Sequence, residues 1–321
     1  MKINVVLLKI LCCVVLFGCV SVYSIDSDVS DVGVMDSNAS VVMDNSSSIQ
    51  SKLNELLGSD KDNVLLILKE GVYVENNISI NIPKGKTLTI RGIGNVVIER
   101  NGSEFVKNIR YNWDNGVYSP SDAETNQYPI FVINDKGNLF IENITFKNGA
   151  GSVAESNTIA GAIEDRGGGN FTISNCAFEN NKGITGAISS SNCYLNITKC
   201  DFKNNHGCNV ITMLGASWGD HETFAHGGAI CNFYGHVDVH ECNFELNHAD
   251  GFIPYGSYSP GDRPTTFGDD IVNHVNSNGD GFVNASNNFF YGGVNYRTFA
   301  GDLGSDYLVY WPVATEPFRR I

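Results

Sequence analysis

The stretch from Leu139 to Asn247 writes one short pattern four times, and a chain that repeats itself at this length has few folds open to it. Aligned on their phenylalanines, the copies read LFIENITFKNG from Leu139, FTISNCAFENN from Phe171, LNITKCDFKNN from Leu195 and VDVHECNFELN from Val237. Four columns are apolar: Leu139, Phe171, Leu195 and Val237; then Ile141, Ile173, Ile197 and Val239; then Ile144, Cys176, Cys200 and Cys242; then Phe146, Phe178, Phe202 and Phe244. Alternation at period 2 predicts a strand with one buried face, and the three-residue step between the second and third columns predicts a bend into a second short strand. GAI at Gly161 and Gly186 and GGAI at Gly227 precede three of the copies. From the Ile of each to the following column Phe the distance is 15, 14 and 14 residues.

A unit this short cannot bury its own apolar face, so it stacks on its neighbours, each coil adding parallel strands about 4.8 Å above the last. The 24 residues from Phe178 to Phe202 are too few for a strand, a crossover helix and their loops, which need roughly 30 or more. The expected fold is all-β, a right-handed single-stranded parallel β-helix with a short N-terminal capping helix. Asn180, Asn181, Asn204, Asn205 and Asn247 suit the corners, because Asn tolerates left-handed backbone angles and can bond to neighbouring turns.

Four segments are expected along the chain. Residues 1–24 carry Lys2, an apolar run broken by Lys9 and a small-residue exit, the form of a secretory signal peptide. Residues 25–48 are rich in Ser, Asp, Val and Asn without periodicity and read as a solvated linker. The β-helix is expected over 49–292, with Ser48 capping a helix that turns Ile49, Leu53, Leu56 and Leu57 to one side and stops at Gly58. Val64 to Leu68, Gly71 to Val74 and Ile78 to Ile82 read as strands, with Leu88, Ile90 and Ile93 approximating the repeat columns. Residues 293–321 form a closing segment. Long loops are expected at about 99–127, 212–226 and 249–267.

The net charge of −14, or −16 once Lys2 and Lys9 leave with the leader, argues against a nucleic-acid partner, which needs a basic face. Three of the nine cysteines lie in the leader. Cys176, Cys200 and Cys242 share an inward column, where side chains one coil apart stay near 4.8 Å, beyond the ~3.8 Å Cβ spacing of a disulfide. They are expected as packed free thiols, while a bridge among Cys193, Cys208 and Cys231 stays open.

The FENN, FKNN and FELN segments with the GGAI at Gly227 resemble the repeats of chlamydial polymorphic outer-membrane proteins. Over the leader, the EGVYVENNISI and TLTIRGIG opening and the GAI coils, the chain resembles the adhesin-like proteins of methanogenic archaea. Its ASNNFFYG from Ala285 stands where that family has an NNWWG-type terminal coil, with two Phe and a Tyr in place of the paired Trp and following Gly. The resemblance implies a β-helix at the cell surface with a role in adhesion. It implies no catalytic residues and no cofactor.

Parallel β-helices also carry polysaccharide lyases and hydrolases, so the acidic pairs need weighing. Gly268-Asp269-Asp270 looks like the paired-carboxylate motif of polygalacturonases, with Asp280 as a third acid. The partner motifs of that family are missing, however, and GDDIVN aligns with GGAICN as one more coil signature. His236, Asp238 and His240 alternate on one strand and should share its outer face. They form a candidate divalent-metal set with His221 or Glu222, set against the plainer expectation of a polar solvent-facing strand. Sequons at Asn38, Asn45, Asn77, Asn101, Asn143, Asn170, Asn196 and Asn284 suit an exported, glycosylated chain. The expected function is a secreted or cell-surface adhesin-like protein whose loops, bearing Trp113, Trp218, Tyr255 and Tyr258, contact glycans or proteins of a cell surface. The alternative is a carbohydrate-active enzyme on the same fold.

Overall fold

The computed structural model describes side chains over residues 39–100, 128–134, 137–151, 160–183, 185–207, 227–249, 270–273 and 280–291. A few further strand segments, at 38, 109–112, 117–120, 210–213, 221–224, 274–275, 296–300 and 309–310, are described as backbone. Residues 1–24, expected as a signal peptide, lie outside the described residues.

The four repeats stack as coils of a parallel β-helix. Strands Asn138–Glu142, Asn170–Ser174, Tyr194–Thr198, His236–His240 and Phe282–Ser286 pair in parallel and in register, with Leu139, Phe171, Leu195, Val237 and Val283 in one line. After the bend, Thr145–Lys147, Ala177–Glu179, Asp201–Lys203, Asn243–Glu245 and Phe289–Tyr291 form a second wall. The GAI segments start the strands of the opposite sheet, where Phe131, Ile163, Ile188, Ile230 and Ile271 align. GDDIVN is the next such segment, since Ile271 pairs with Ile230.

The bore is filled by the predicted columns. Phe146, Phe178, Phe202 and Phe244 are fully buried and stack with centroids 5.2, 4.8 and 4.9 Å apart, and Phe290 adds a fifth ring at 4.7 Å. A parallel stack brings identical residues into contact at the coil spacing, so each ring gains about 0.5–1.5 kcal/mol beyond its area burial. Cys176, Cys200 and Cys242 are buried free thiols, and so are Cys193 and Cys231. Cys208 lies outside the described residues. The cysteine column ends in Asn288, whose side chain accepts the Cys242 N–H at 2.9 Å and donates to the Val239 carbonyl.

The corner asparagines divide into two roles. Asn148, Asn180 and Asn204 hold φ near +55°, as do Asn143 and Asn175 at the first bend. Asn is the side chain that tolerates this region best. Asn181, Asn205 and Asn247 point inward as a buried ladder. In each, Oδ1 accepts from the coil before; Nδ2 donates to the carbonyl of Phe146, Phe178 or Phe202 and to the next rung. The glycines of the GAI signature have an equally local cause. A Cβ on Gly161 would collide with the carbonyl of Gly186, and one on Gly186 with that of Gly228.

The capping helix spans Ile49–Leu57, with Ser48 accepting the Ser51 N–H and Ile49, Leu53 and Leu56 buried. Glu75, from beyond the end of strand Asn63–Val74, also accepts from the N–H groups of Ile49 and Gln50. A carboxylate there satisfies two otherwise unpaired donors and meets the positive end of the helix dipole.

Several expectations are corrected. Part of the 25–48 linker is a strand: Asn38–Met43 pairs in parallel with Asn63–Leu68, because Val41 and Met43 meet the core of the first coil. The two strands expected at Val64 and Gly71 are one, Asn63–Val74, with a register shift between Lys69 and Gly71. Leu88 and Ile90 join their columns, but Ile93 is only half-buried; beyond the bend the buried residues are Val96 and Ile98, and Ile98 aligns with Phe146. Two of the expected loops hold antiparallel hairpins, Ile109–Asn112 with Val117–Pro120 and Val210–Met213 with His221–Phe224. The boundary at 292 also moves, since Tyr296–Ala300 adds to the second sheet beside Ile271–Val275.

Candidate functional site

Of the acidic residues named from the polygalacturonase likeness, Asp270 and Asp280 stand in different surroundings. Asp270 is buried at the end of the asparagine ladder, where it accepts from Asn247 Nδ2 at 2.9 Å, and its backbone carbonyl accepts from Ala229 and Ile230. Asp280 is exposed, ahead of strand Phe282–Ser286. Asp269 lies outside the described residues, as do Trp113, Trp218, Tyr255 and Tyr258. By position in the chain, Trp113 and Trp218 fall between the paired strands of the two hairpins.

His236, Asp238 and His240 do share the outer face of the first sheet, since Val237 and Val239 between them are fully buried. The carboxylate is already engaged. Asp238 Oδ2 accepts from the Tyr194 hydroxyl at 2.7 Å and lies 3.2 Å from His236 Nε2, while Oδ1 accepts from Asn284 Nδ2 at 3.1 Å. Partial burial pushes the Asp238 pKa up. Hydrogen bonds from Tyr194 and Asn284 and the neighbouring His236 outweigh that and hold it below the ordinary carboxylate value. The same bond raises the Tyr194 hydroxyl. Among the described residues no group of three His, Cys, Asp or Glu side chains is placed to hold a metal ion. The side chains of His221 and Glu222 lie outside them.

Three outward rows cross this face. The first runs Asn138, Asn170, Tyr194, His236 and Phe282; its last three members are rings at 4.9 Å centroid spacing, Tyr194 stacked on His236 and Phe282 tilted against it by 42°. The second runs Phe140, Thr172, Asn196, Asp238 and Asn284. The third runs Glu142, Ser174, Thr198, His240 and Ser286. Alternation predicts polar residues here, yet Phe140, Tyr194 and Phe282 are each more than 40% exposed, at 42%, 46% and 53%. In the third row His240 Nδ1 lies 2.6 Å from Ser286 Oγ, and its Nε2 lies 4.0 Å from Asp238 Oδ1.

Sequence reasoning missed Tyr194, Phe282 and Ser286. Tyr194 stands one residue before the first apolar column, just ahead of the aligned copies, and Phe282 holds the same place before Val283; the change there from Asn138 and Asn170 to an aromatic was the available signal. Ser286 had none, because 46 residues separate it from His240 and only the coil register joins them.

No family model matches the sequence. No curated protein matches it either. Among solved structures the chain is similar to a pectin methylesterase from Aspergillus niger, crystallised in a penultimately deglycosylated form. The identity is 15%, the TM-score 0.37, and the match covers 85% of this chain and 88% of that one.

Proposed function

We propose that the protein is an exported, adhesin-like surface protein that binds extended glycan chains on the outer face of its first sheet. One observation carries this reading: Tyr194 and Phe282 stand exposed, with His236 between them, beside a row of amide and carboxylate groups, Asn196, Asp238 and Asn284. An apolar residue on a solvent-facing strand position has no packing role in the core, and grouped exposed apolar surface marks an interaction site. Aromatic rims beside hydrogen-bonding groups suit sugars, whose rings offer C–H edges and hydroxyls together. The rack beneath holds both rows at the coil spacing without further ordering cost. A net charge of −14 disfavours acidic polymers and favours neutral ones.

The test is a glycan array probed with the full chain, Tyr194→Ala/Phe282→Ala and deletions of the two hairpins. Signal on neutral glycans, lost in the double variant and kept in the deletions, is the expected outcome. Loss confined to the deletions would move the site to the loops bearing Trp113 and Trp218. An array blank for every form would remove glycan binding altogether. Cell fractionation with N-terminal sequencing checks export.

A further inference from the structure

We propose that Ser286, His240 and Asp238 form a hydrolytic site for carboxylic esters carried on an extended polymer. The substrate's identity as an acylated polysaccharide rests on the glycan reading above, whereas the hydrolytic chemistry does not.

The geometry has the parts of an activated nucleophile. Ser286 Oγ is 2.6 Å from His240 Nδ1, within hydrogen-bond reach of a general base. With the serine donating, the neutral imidazole carries its proton on Nε2, on the side of Asp238 Oδ1 at 4.0 Å. That separation is long for a hydrogen bond and shortens when the ring becomes cationic, as catalytic contacts do between resting and reacting states. Asp238 is held for this by Tyr194 and Asn284, and its lowered pKa keeps it an anion beside the imidazolium.

A donor for the developing oxyanion follows from the coil pattern. At the bend, the backbone N–H groups of Asn143, Asn175, Lys199 and Glu241 each donate to a carbonyl of the next coil, those of Ser174, Thr198, His240 and Ser286. Asn287 is the fifth member of this row, with φ +56°, and its N–H meets no acceptor among the described residues. The N–H directly after a nucleophile is where acyl-transfer sites place an oxyanion donor.

The reaction balances with water alone. Ser286 Oγ bonds to the ester carbonyl carbon as its proton passes to His240 Nδ1. The tetrahedral intermediate collapses, the C–O bond to the alcohol breaks, and the alcohol oxygen takes the proton from His240. Water then attacks the acyl-serine, giving its proton to His240, and the Ser286 oxygen leaves and is reprotonated. The net change is ester plus water to carboxylic acid plus alcohol. Ser286 and Asn287 are exposed, so the site takes an ester that projects from a chain lying across the face. Phe282 begins the same strand, four residues before Ser286, roughly 13 Å away at 3.3 Å per residue, a reach that a bound oligosaccharide spans.

The full chain is treated with a fluorophosphonate probe and the adduct is located by peptide mass spectrometry. Acetate release from acetylated xylan is followed in parallel. Labelling at Ser286 is expected, with label and acetate release both lost, on the order of 10³-fold, in His240→Ala and in Ser286→Ala. Circular dichroism checks that both variants keep the native fold. Absence of label at Ser286, label that persists in His240→Ala, or acetate release that survives Ser286→Ala overturns the site. Phe282→Ala, which touches none of the three hydrolytic residues, separates the two readings: it weakens glycan binding and xylan turnover while Ser286 is still labelled. Label without binding to any glycan leaves the esterase and discards the glycan reading.

Discussion

The Asn247 amide donates to the Asp270 carboxylate at 2.9 Å, where the two rungs before it donate to asparagine oxygens. A carboxylate thus closes a buried ladder of amides. Replacing Asp270 with Asn keeps an acceptor for Asn247 and should change stability by less than about 1 kcal/mol, whereas Asp270→Ala leaves that buried donor unsatisfied and should cost about 2–3 kcal/mol. Urea unfolding of the two variants checks this. Polygalacturonate cleavage by the native chain, abolished in a folded Asp270→Asn variant, would instead restore the paired-carboxylate reading.

Gly186 and Gly85 separate two reasons for glycine. A Cβ at Gly186 would meet the Gly228 carbonyl of the next coil, and neither backbone can yield without opening the stack. Gly186→Ala should cost about 3 kcal/mol. At Gly85, φ is +89° and nothing stands within 4 Å of a Cβ, so Gly85→Ala should cost only the backbone strain, about 1–2 kcal/mol. Melting temperatures of the pair give the order; a Gly186→Ala protein as stable as Gly85→Ala would contradict the close approach.

Asp165 sets a pH dependence. Burial pushes its pKa up to about 6, against smaller opposing hydrogen bonds from Cys193, Gly167 and Ser190. The folded state therefore binds the proton more tightly than the unfolded chain. The resulting stabilisation is full below pH ~4 and is lost as pH rises through about 6. On the order of 3 kcal/mol should disappear across that window. Asp165→Asn should flatten this part of the profile, and denaturant titrations at pH 4 and pH 7 compare the two. Equal slopes in both proteins would assign the dependence to another group.

The thiols should be silent in the native protein. Cys193 is pushed up to about 12 by burial and then by Asp165, Cys231 is raised by burial, Cys200 is raised chiefly by its contact with Cys176, and Cys242 chiefly by its contact with Cys200 and then by burial. Nucleophilic attack needs the thiolate. In a Cys208→Ser background, a thiol reagent at pH 8 should modify none of Cys176, Cys193, Cys200, Cys231 and Cys242 until denaturant is added, and reductant should leave the melting temperature unchanged. Counting labelled peptides before and after unfolding decides the matter.

Local pattern reaches a definite distance into this molecule. The four inward columns are legible because strand alternation and a repeated Phe need no knowledge of contacts. So is the helix after Ser48, where cap, apolar face and stop lie within eleven residues. The strand Asn38–Met43 is less so: its polar residues look like linker, and only Asn63–Leu68 alongside completes its hydrogen bonding. Ile93 misses its expected column because five residues, 92–96, separate the two paired stretches of strand Thr87–Glu99 where only 143 and 144 do so in the next coil, so that Val96 is the residue buried just before the second stretch.

From the residues alone came the period, the buried columns and the stacking they require, since apolar residues at fixed offsets have to find their equivalents one coil away. Which outward residues meet is decided only in three dimensions. His240 and Ser286, or Tyr194 and Asp238, lie more than forty positions apart across insertions of unequal length. They become neighbours because the buried columns lock the register of parallel strands, and a slip of one residue would turn each outer row into the core.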